Sequence, residues 1–331
     1  MRRLRAALTL GALAVALAGC SEGAERREDA SATGAPRWRA LEPALLSRTE
    51  VGAARIGRSI YVVGGFLPST ETTAAAERYA IGNDRWRRIR PLPIAVNHPA
   101  VAALEGRLYV FGGYTDSSFG EVTGALQEYN PRTGRWRLLP ASPTPRAAAA
   151  LVAVGKRLYA VGGAVGGRAL AVLESYDPAR RLWRSGLPPM AVPREHIAAA
   201  VAGGEIFVLG GRARGGNLDV VERYDPRRRS WARAPSLRTA RSGFAAATVA
   251  GRIVALGGEE LGPGGTTIRP VELLEPGAGG WRRLPGMRTP RHGLGAASLG
   301  RLLYALEGGP QPGFAFSDTA EVIRLPQRLL R

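Results

Sequence analysis

The chain has 331 residues, with 46 basic against 27 acidic side chains and a formal net charge of +19. Its single cysteine, Cys20, excludes disulfides, a thiolate zinc cluster and a catalytic thiol in the body of the chain. Lys156 is the one lysine, and the arginines are scattered without a basic arm or run. The charge therefore argues for a general attraction to anionic surfaces and against nucleic-acid binding.

Residues 1–20 read as a signal peptide. Arg2, Arg3 and Arg5 form a positive start, and the apolar run over 6–18 is too short to span a bilayer. The run ends in Leu17-Ala18-Gly19-Cys20, which resembles a bacterial lipobox. That resemblance implies lipidation of the Cys20 sulfur, cleavage just before it, and a protein lipid-anchored on the outer side of a bacterial membrane. Residues 21–36 are small, polar and charged; they cannot bury enough surface to offset their ordering entropy and are expected to form a tether.

From residue 37 onward the chain is periodic. Adjacent glycines recur at Gly64-Gly65, Gly112-Gly113, Gly162-Gly163, Gly210-Gly211, Gly257-Gly258 and Gly308-Gly309, and six tryptophans (Trp38, Trp86, Trp136, Trp183, Trp231, Trp281) keep nearly the same spacing. A period near 50 with glycine and aromatic marks indicates a β-propeller. The fourth repeat shows how one unit is built. A small-residue run (197–202) and a turn at Gly203-Gly204 lead to a β-branched strand (205–209) that ends at Gly210-Gly211. A polar loop, a strand at 220–224, a turn at Asp225-Pro226 and a short strand around Trp231 follow, giving four strands a to d.

A strand ending in Gly-Gly, a Glu-x-Tyr segment, a turn and a tryptophan together resemble the kelch repeat over residues 37–325. The third mark stands at Glu77-Tyr79, Glu128-Tyr129, Glu174-Tyr176 and Glu222-Tyr224, and without tyrosine at Glu272-Leu274 and Glu321-Ile323. The last repeat supplies no tryptophan strand, while the chain begins with an orphan one around Trp38. The expectation is an all-β, six-bladed kelch-type propeller over 37–326, closed by its N-terminal strand, with a tail at 327–331.

Alternating strand direction puts the d–a connections and the b–c loops on one face. Those loops carry Phe66, Tyr114, Phe119, Phe314 and Phe316 and vary between repeats, as binding loops do. Just before strand a stand Arg48, Arg146, Arg194, Arg241 and Arg291, with Val96 in the second repeat. These arginines either tie down their own turns or ring the channel mouth to bind carboxylate or phosphate. His98 and His196 fall in the same zone, and His292 follows Arg291. Coming from repeats two, four and six, the histidines are expected to spread around the ring, without a metal or any other cofactor. Glu50, in the slot of His98, and Glu195 beside His196 offer a carboxylate to a histidine at the channel mouth.

Galactose oxidase is a related propeller enzyme, but its copper chemistry needs a cysteine that this propeller lacks. Bacterial sialic-acid mutarotases also resemble the architecture, which implies acid–base chemistry on a carboxylated sugar as an alternative. The principal expectation is a monomeric, non-enzymatic binding propeller on the cell envelope. It would take an anionic glycan or an acidic protein segment on the b–c loop face, and touch the membrane only through its lipid.

Overall fold

Each repeat folds into a four-stranded antiparallel sheet with strands in the order a-b-c-d. In the third blade these are Ala150–Val154, Arg157–Val161, Leu173–Asp177 and Leu182–Arg184. The computed structural model describes residues 35–330, apart from Gly215, Leu261 and Pro263. The signal peptide, Cys20 and the tether as far as residue 34 lie outside the described residues.

Six such sheets make an all-β six-bladed propeller. Inner strands of consecutive blades neighbour one another around the ring, with Gly52–Ile56 of the first beside Gly295–Leu299 of the last. The N-terminal strand Trp38–Ala40 pairs with Ala320–Arg324 as the outer strand of blade six, in the register Trp38↔Ile323. The first and last strands of the propeller thus share one sheet, and that blade's strand c is not left with an unpaired edge.

The apolar core lies between blades. Six buried clusters each join two consecutive blades, among them Phe111, Leu126, Leu158 and Trp183 between blades two and three. Strand b is covered on both faces, so Ser59–Val63 is buried throughout, whereas the outer strand Arg85–Arg88 buries only Trp86. Every tryptophan also donates its indole N–H to a carbonyl of the preceding blade's d–a segment. Trp86 bonds Glu42, Trp136 bonds Arg90, Trp183 bonds Pro140, Trp231 bonds Pro188, Trp281 bonds Pro235 and Trp38 bonds Pro285, all at 2.7–2.9 Å. Large apolar area and a satisfied donor explain why tryptophan recurs there.

Two phases differ from those expected. In blade six the N–H that bonds the next blade's arginine carbonyl belongs to Gly308, as it does to Gly258 and Gly211 in blades five and four. The first glycine of the pair is therefore replaced by Glu307, at φ 56. In blade two the residue in register with Glu174 and Glu222 is Gln127, opposite Val110, and not Glu128. The segment expected as a tail contains a short 3-10 turn, Gln327–Leu329, and its Leu330 is buried in the cluster that holds Trp38.

Candidate functional site

Just before strand a, each blade sends one residue to the channel axis. These are Glu50, His98, Ala148, His196, Gly243 and Gly293, all in the left-handed region with φ between 49 and 60. Their peptide groups link into a ring: His98 N–H donates to Glu50 O, Ala148 to His98, His196 to Ala148, Gly243 to His196 and Gly293 to Gly243, at 2.7–3.1 Å. Val51 N–H closes the circle on Gly293 O at 3.1 Å. This ring floors a cavity of about 430 Å³ at the mouth of the propeller. A smaller void of about 90 Å³ on the other side is also lined by Glu50, His98 and His196.

The next tier outward pairs the residue before each axial one with the residue after each double glycine. Thr49 bridges Phe66, Asn97 bridges Tyr114, Ala147 bridges Ala164, Glu195 bridges Arg212, Ser242 bridges Glu259 and His292 bridges Gly309. Side chains of this tier wall the cavity on two chemically different sides. Phe66, Tyr114, Phe119 and Phe314 form an apolar wall, with ring centroids 5.2–6.2 Å apart. Phe66 and Tyr114 are buried, while Phe119 and Phe314 at the loop tips are exposed. Across from Phe66, on blade four, stand Glu195, His196 and Arg212, and Glu259 and His292 of blades five and six complete the lining.

The polar side is a connected network. Arg212 Nε donates to Glu195 Oε1 at 2.5 Å, and its Nη1 lies 3.6 Å from Glu259. His196 donates Nδ1–H to the other oxygen of Glu195, and its Nε2 faces Arg212 Nη2 at 3.2 Å. His98 lies 3.2 Å from Glu50 through Nε2 and 2.6 Å from Asn97 Oδ1 through Nδ1. Burial, reinforced by Glu259 and opposed by Arg212, pushes the Glu50 carboxyl up to about 8. Burial also holds His98 and His292 below the usual imidazole range. Burial would raise Glu195 too, but the bonds from His196 and Arg212 outweigh it and hold that carboxylate low.

Of the residues expected at the site, the cavity brings together His98, His196, Phe66, Tyr114, Phe119 and Phe314; Phe316 does not line it. The arginine ring is corrected. Arg48, Arg146, Arg194, Arg241 and Arg291 are fully buried, and each holds a glutamate on strand c of its own blade: Glu77, Glu174, Glu222, Glu272 and Glu321. Further donors go to backbone carbonyls, such as Gly64 and Ala75 for Arg48 and Gly257 and Pro270 for Arg241, while Nε of Arg48, Arg146, Arg194 and Arg291 is buried without a partner. Buried to this depth, none of the five guanidinium groups is open to a ligand. The expected spread of histidines is corrected as well, since His98 and His196 have ring centroids 4.7 Å apart and Glu50 reaches His292 at 3.6 Å. Arg212 and Glu259 were missed; the signal for them was the position directly after the double glycine.

A family model described as the KLHDC2/KLHL20/DRC7 Kelch-repeats domain matches residues 50–258. Among solved structures, that of YjhT is similar with a TM-score of 0.76 and 16% identity, over 86% of this chain and 97% of that one. At that identity the likeness is one of fold. No curated protein matches the chain.

Proposed function

The chain belongs to the kelch-repeat family, and from that premise we propose that it binds a carbohydrate ring in the cavity at the mouth of its propeller. The observation that carries this reading is the cavity's two-sidedness. An aromatic wall of Phe66, Tyr114, Phe119 and Phe314 faces fixed donors and acceptors from Glu195, His196 and Arg212, in about 430 Å³. A sugar presents an apolar ring face and an edge of hydroxyls, and such concave, mostly apolar sites with a few placed polar groups suit small ligands. An acidic protein segment fits the concavity less well, and the buried arginines give it no partner. If the sugar is anionic, Arg212 is the cation that meets it, exchanging Glu195 for the ligand's carboxylate.

Two titratable groups on the cavity floor, Glu50 and His98, favour a second reading, in which the bound sugar is a substrate. Glu50 and His98 lie 3.2 Å apart on its floor, an acid and a base with which a bound sugar's ring oxygen would exchange a proton. That arrangement suits a mutarotase acting on a carboxylated sugar such as sialic acid. Both readings place the protein outside the cytoplasm, held by a lipid on Cys20. The anchor rests on the sequence Leu17-Ala18-Gly19-Cys20, and Cys20→Ser should release the protein from the membrane fraction.

The deciding experiment is thermal shift of the chain against neutral and carboxylated monosaccharides. A ligand at a hundred times its dissociation constant stabilises by about 2.7 kcal/mol. Stabilisation by a sugar that is lost in Phe314→Ala supports the carbohydrate site; no shift with any sugar sinks it. Faster exchange between anomers of that sugar, followed by NMR, would separate the mutarotase from simple binding.

A further inference from the structure

All three histidines of the chain converge on the channel axis, although they come from blades two, four and six. In each, Nδ1 is already engaged. His98 Nδ1 contacts Asn97 Oδ1 at 2.6 Å, His196 Nδ1 contacts Glu195 Oε2, and His292 Nδ1 contacts the Gly309 carbonyl at 3.2 Å. The Asn97 amide cannot be turned around, because its Nδ2 donates to Thr72 Oγ1 and to the Asp116 carbonyl, both at 2.8 Å. Its oxygen therefore faces the imidazole. A carboxylate and a backbone carbonyl can only accept, so the proton sits on Nδ1 in all three rings and each Nε2 keeps its lone pair.

Two of those lone pairs meet carboxylate oxygens, while that of His196 faces Arg212 Nη2. Glu50 Oε2 is 3.2 Å from His98 Nε2, Glu50 Oε1 is 3.6 Å from His292 Nε2, and Glu259 Oε2 is 3.9 Å from the same nitrogen. One ligand atom from each of Glu50, His98 and His196 lies within 4.8 Å of the others. Tetrahedral zinc, with bonds of about 2.1 Å, sets its donors about 3.4 Å apart, so modest side-chain rotation closes the set. Imidazoles oriented through Nδ1 by a carboxylate or carbonyl are the usual outer shell of metal-binding histidines.

We propose that Glu50, His98 and His196 bind one divalent transition-metal ion of the zinc class on the channel axis. Two imidazoles and a carboxylate suit such an ion and not magnesium or calcium, which take oxygen donors. Arg212 Nη2 now faces His196 Nε2 at 3.2 Å, and the ion takes that place while Arg212 keeps its bond to Glu195. The site does not depend on the carbohydrate reading. An ion on His98 Nε2 does remove that nitrogen as a proton acceptor, so chelation distinguishes it from an acid–base mutarotase.

The test uses the full, untagged chain carrying Cys20→Ser, which removes its one thiol. After dialysis against a chelator, Co²⁺ alone is titrated in while ligand-field absorption and bound metal per chain are followed. One ion per chain is expected, displaced by Zn²⁺ and weakened more than about tenfold by Glu50→Gln and by His98→Ala. Where a variant fails to fold, NMR of the imidazoles in the unaltered site decides: Zn²⁺ should shift the His98 and His196 Nε2 resonances together. No bound cobalt, binding indifferent to both substitutions, or unmoved Nε2 resonances would overturn the proposal.

Discussion

Val96 and Gln127 occupy, in blade two, the two places that Arg146 and Glu174 fill in blade three. Gln127 uses its amide to accept from Ile94 N–H at 2.9 Å and to donate to Ile94 O at 3.1 Å, in place of an ion pair. The charged residues are absent together, as expected if each guanidinium is there to satisfy its own glutamate. Breaking such a buried pair from one side leaves a charge without a partner, at a cost of about 3–5 kcal/mol. Replacing both members with well-packed neutral groups costs far less.

The first prediction follows from that pair. Arg146→Val should destabilise by about 3–5 kcal/mol, and adding Glu174→Gln should restore a large part of the loss. Denaturant midpoints of the two single variants and the double variant measure it. Additive losses would show that the pair is not the unit of stability.

The second concerns pH. Arg48 serves two buried carboxylates, Glu77 at 2.9 Å and Glu307 at 2.8 Å. Burial pushes Glu307 up to about 7 from an ordinary 4.5, with Arg48 opposing and Glu77 reinforcing the rise. Between those values the folded protein keeps a proton that the unfolded chain has released. Stability from this group is therefore full below 4.5, declines as pH rises through the window, and is flat above 7. Glu307→Gly, which restores the double glycine, should raise stability more at about pH 8 than at about pH 5, by a difference on the order of 1–3 kcal/mol. Its backbone gain is the same at both values, so an equal gain at the two pH values would contradict the titration.

Much of this fold is legible because architecture repeats. The tryptophans and glycines mark contacts made between blades, and the orphan strand at Trp38 announces the closure. Two phase slips occur where a repeat departs from type. Glu307 takes a left-handed conformation that glycine normally fills, and Gly309 makes the pair seem one residue late. Glu128 stands beside the true partner position, Gln127. The convergence of histidines was not legible for a different reason. Blade number suggests separation around a ring, but the left-handed turn at Glu50, His98 and His196 aims each side chain at the axis. There the six peptides are only one hydrogen bond apart.

The third prediction tests closure. Removing residues up to Ala40 deletes the outer strand of blade six, the Trp38 contact to Pro285 and part of the apolar layer between blades five and six. It also exposes the edge of Ala320–Arg324, an invitation to intermolecular pairing. The truncated chain should lose cooperative unfolding or self-associate, as read by calorimetry and light scattering. A monomer with unchanged unfolding would show that the strand only decorates the ring.

The fourth compares two glycines of the axial ring that share a backbone conformation and differ in surroundings. Gly243 and Gly293 have φ of 60 and 58, so either would cost a side chain about 1–2 kcal/mol for the left-handed region alone. A Cβ on Gly243 meets nothing closer than 3.6 Å, from Glu259 Oε1. A Cβ on Gly293 would stand 2.5 Å from Glu50 N and Thr49 Oγ1 and 2.7 Å from Glu50 Oε1. Gly243→Ala should therefore lose about 1–2 kcal/mol and keep the cavity floor intact. Gly293→Ala should lose clearly more, because backbone of blade one must move, and Glu50 should be driven from its place against His98 and His292. Denaturation of both variants, with imidazole NMR shifts of His98 and His292 as the local readout, separates them. Equal losses with unmoved imidazole signals would mean that the ring has slack at Gly293, and that Glu50 is held from elsewhere.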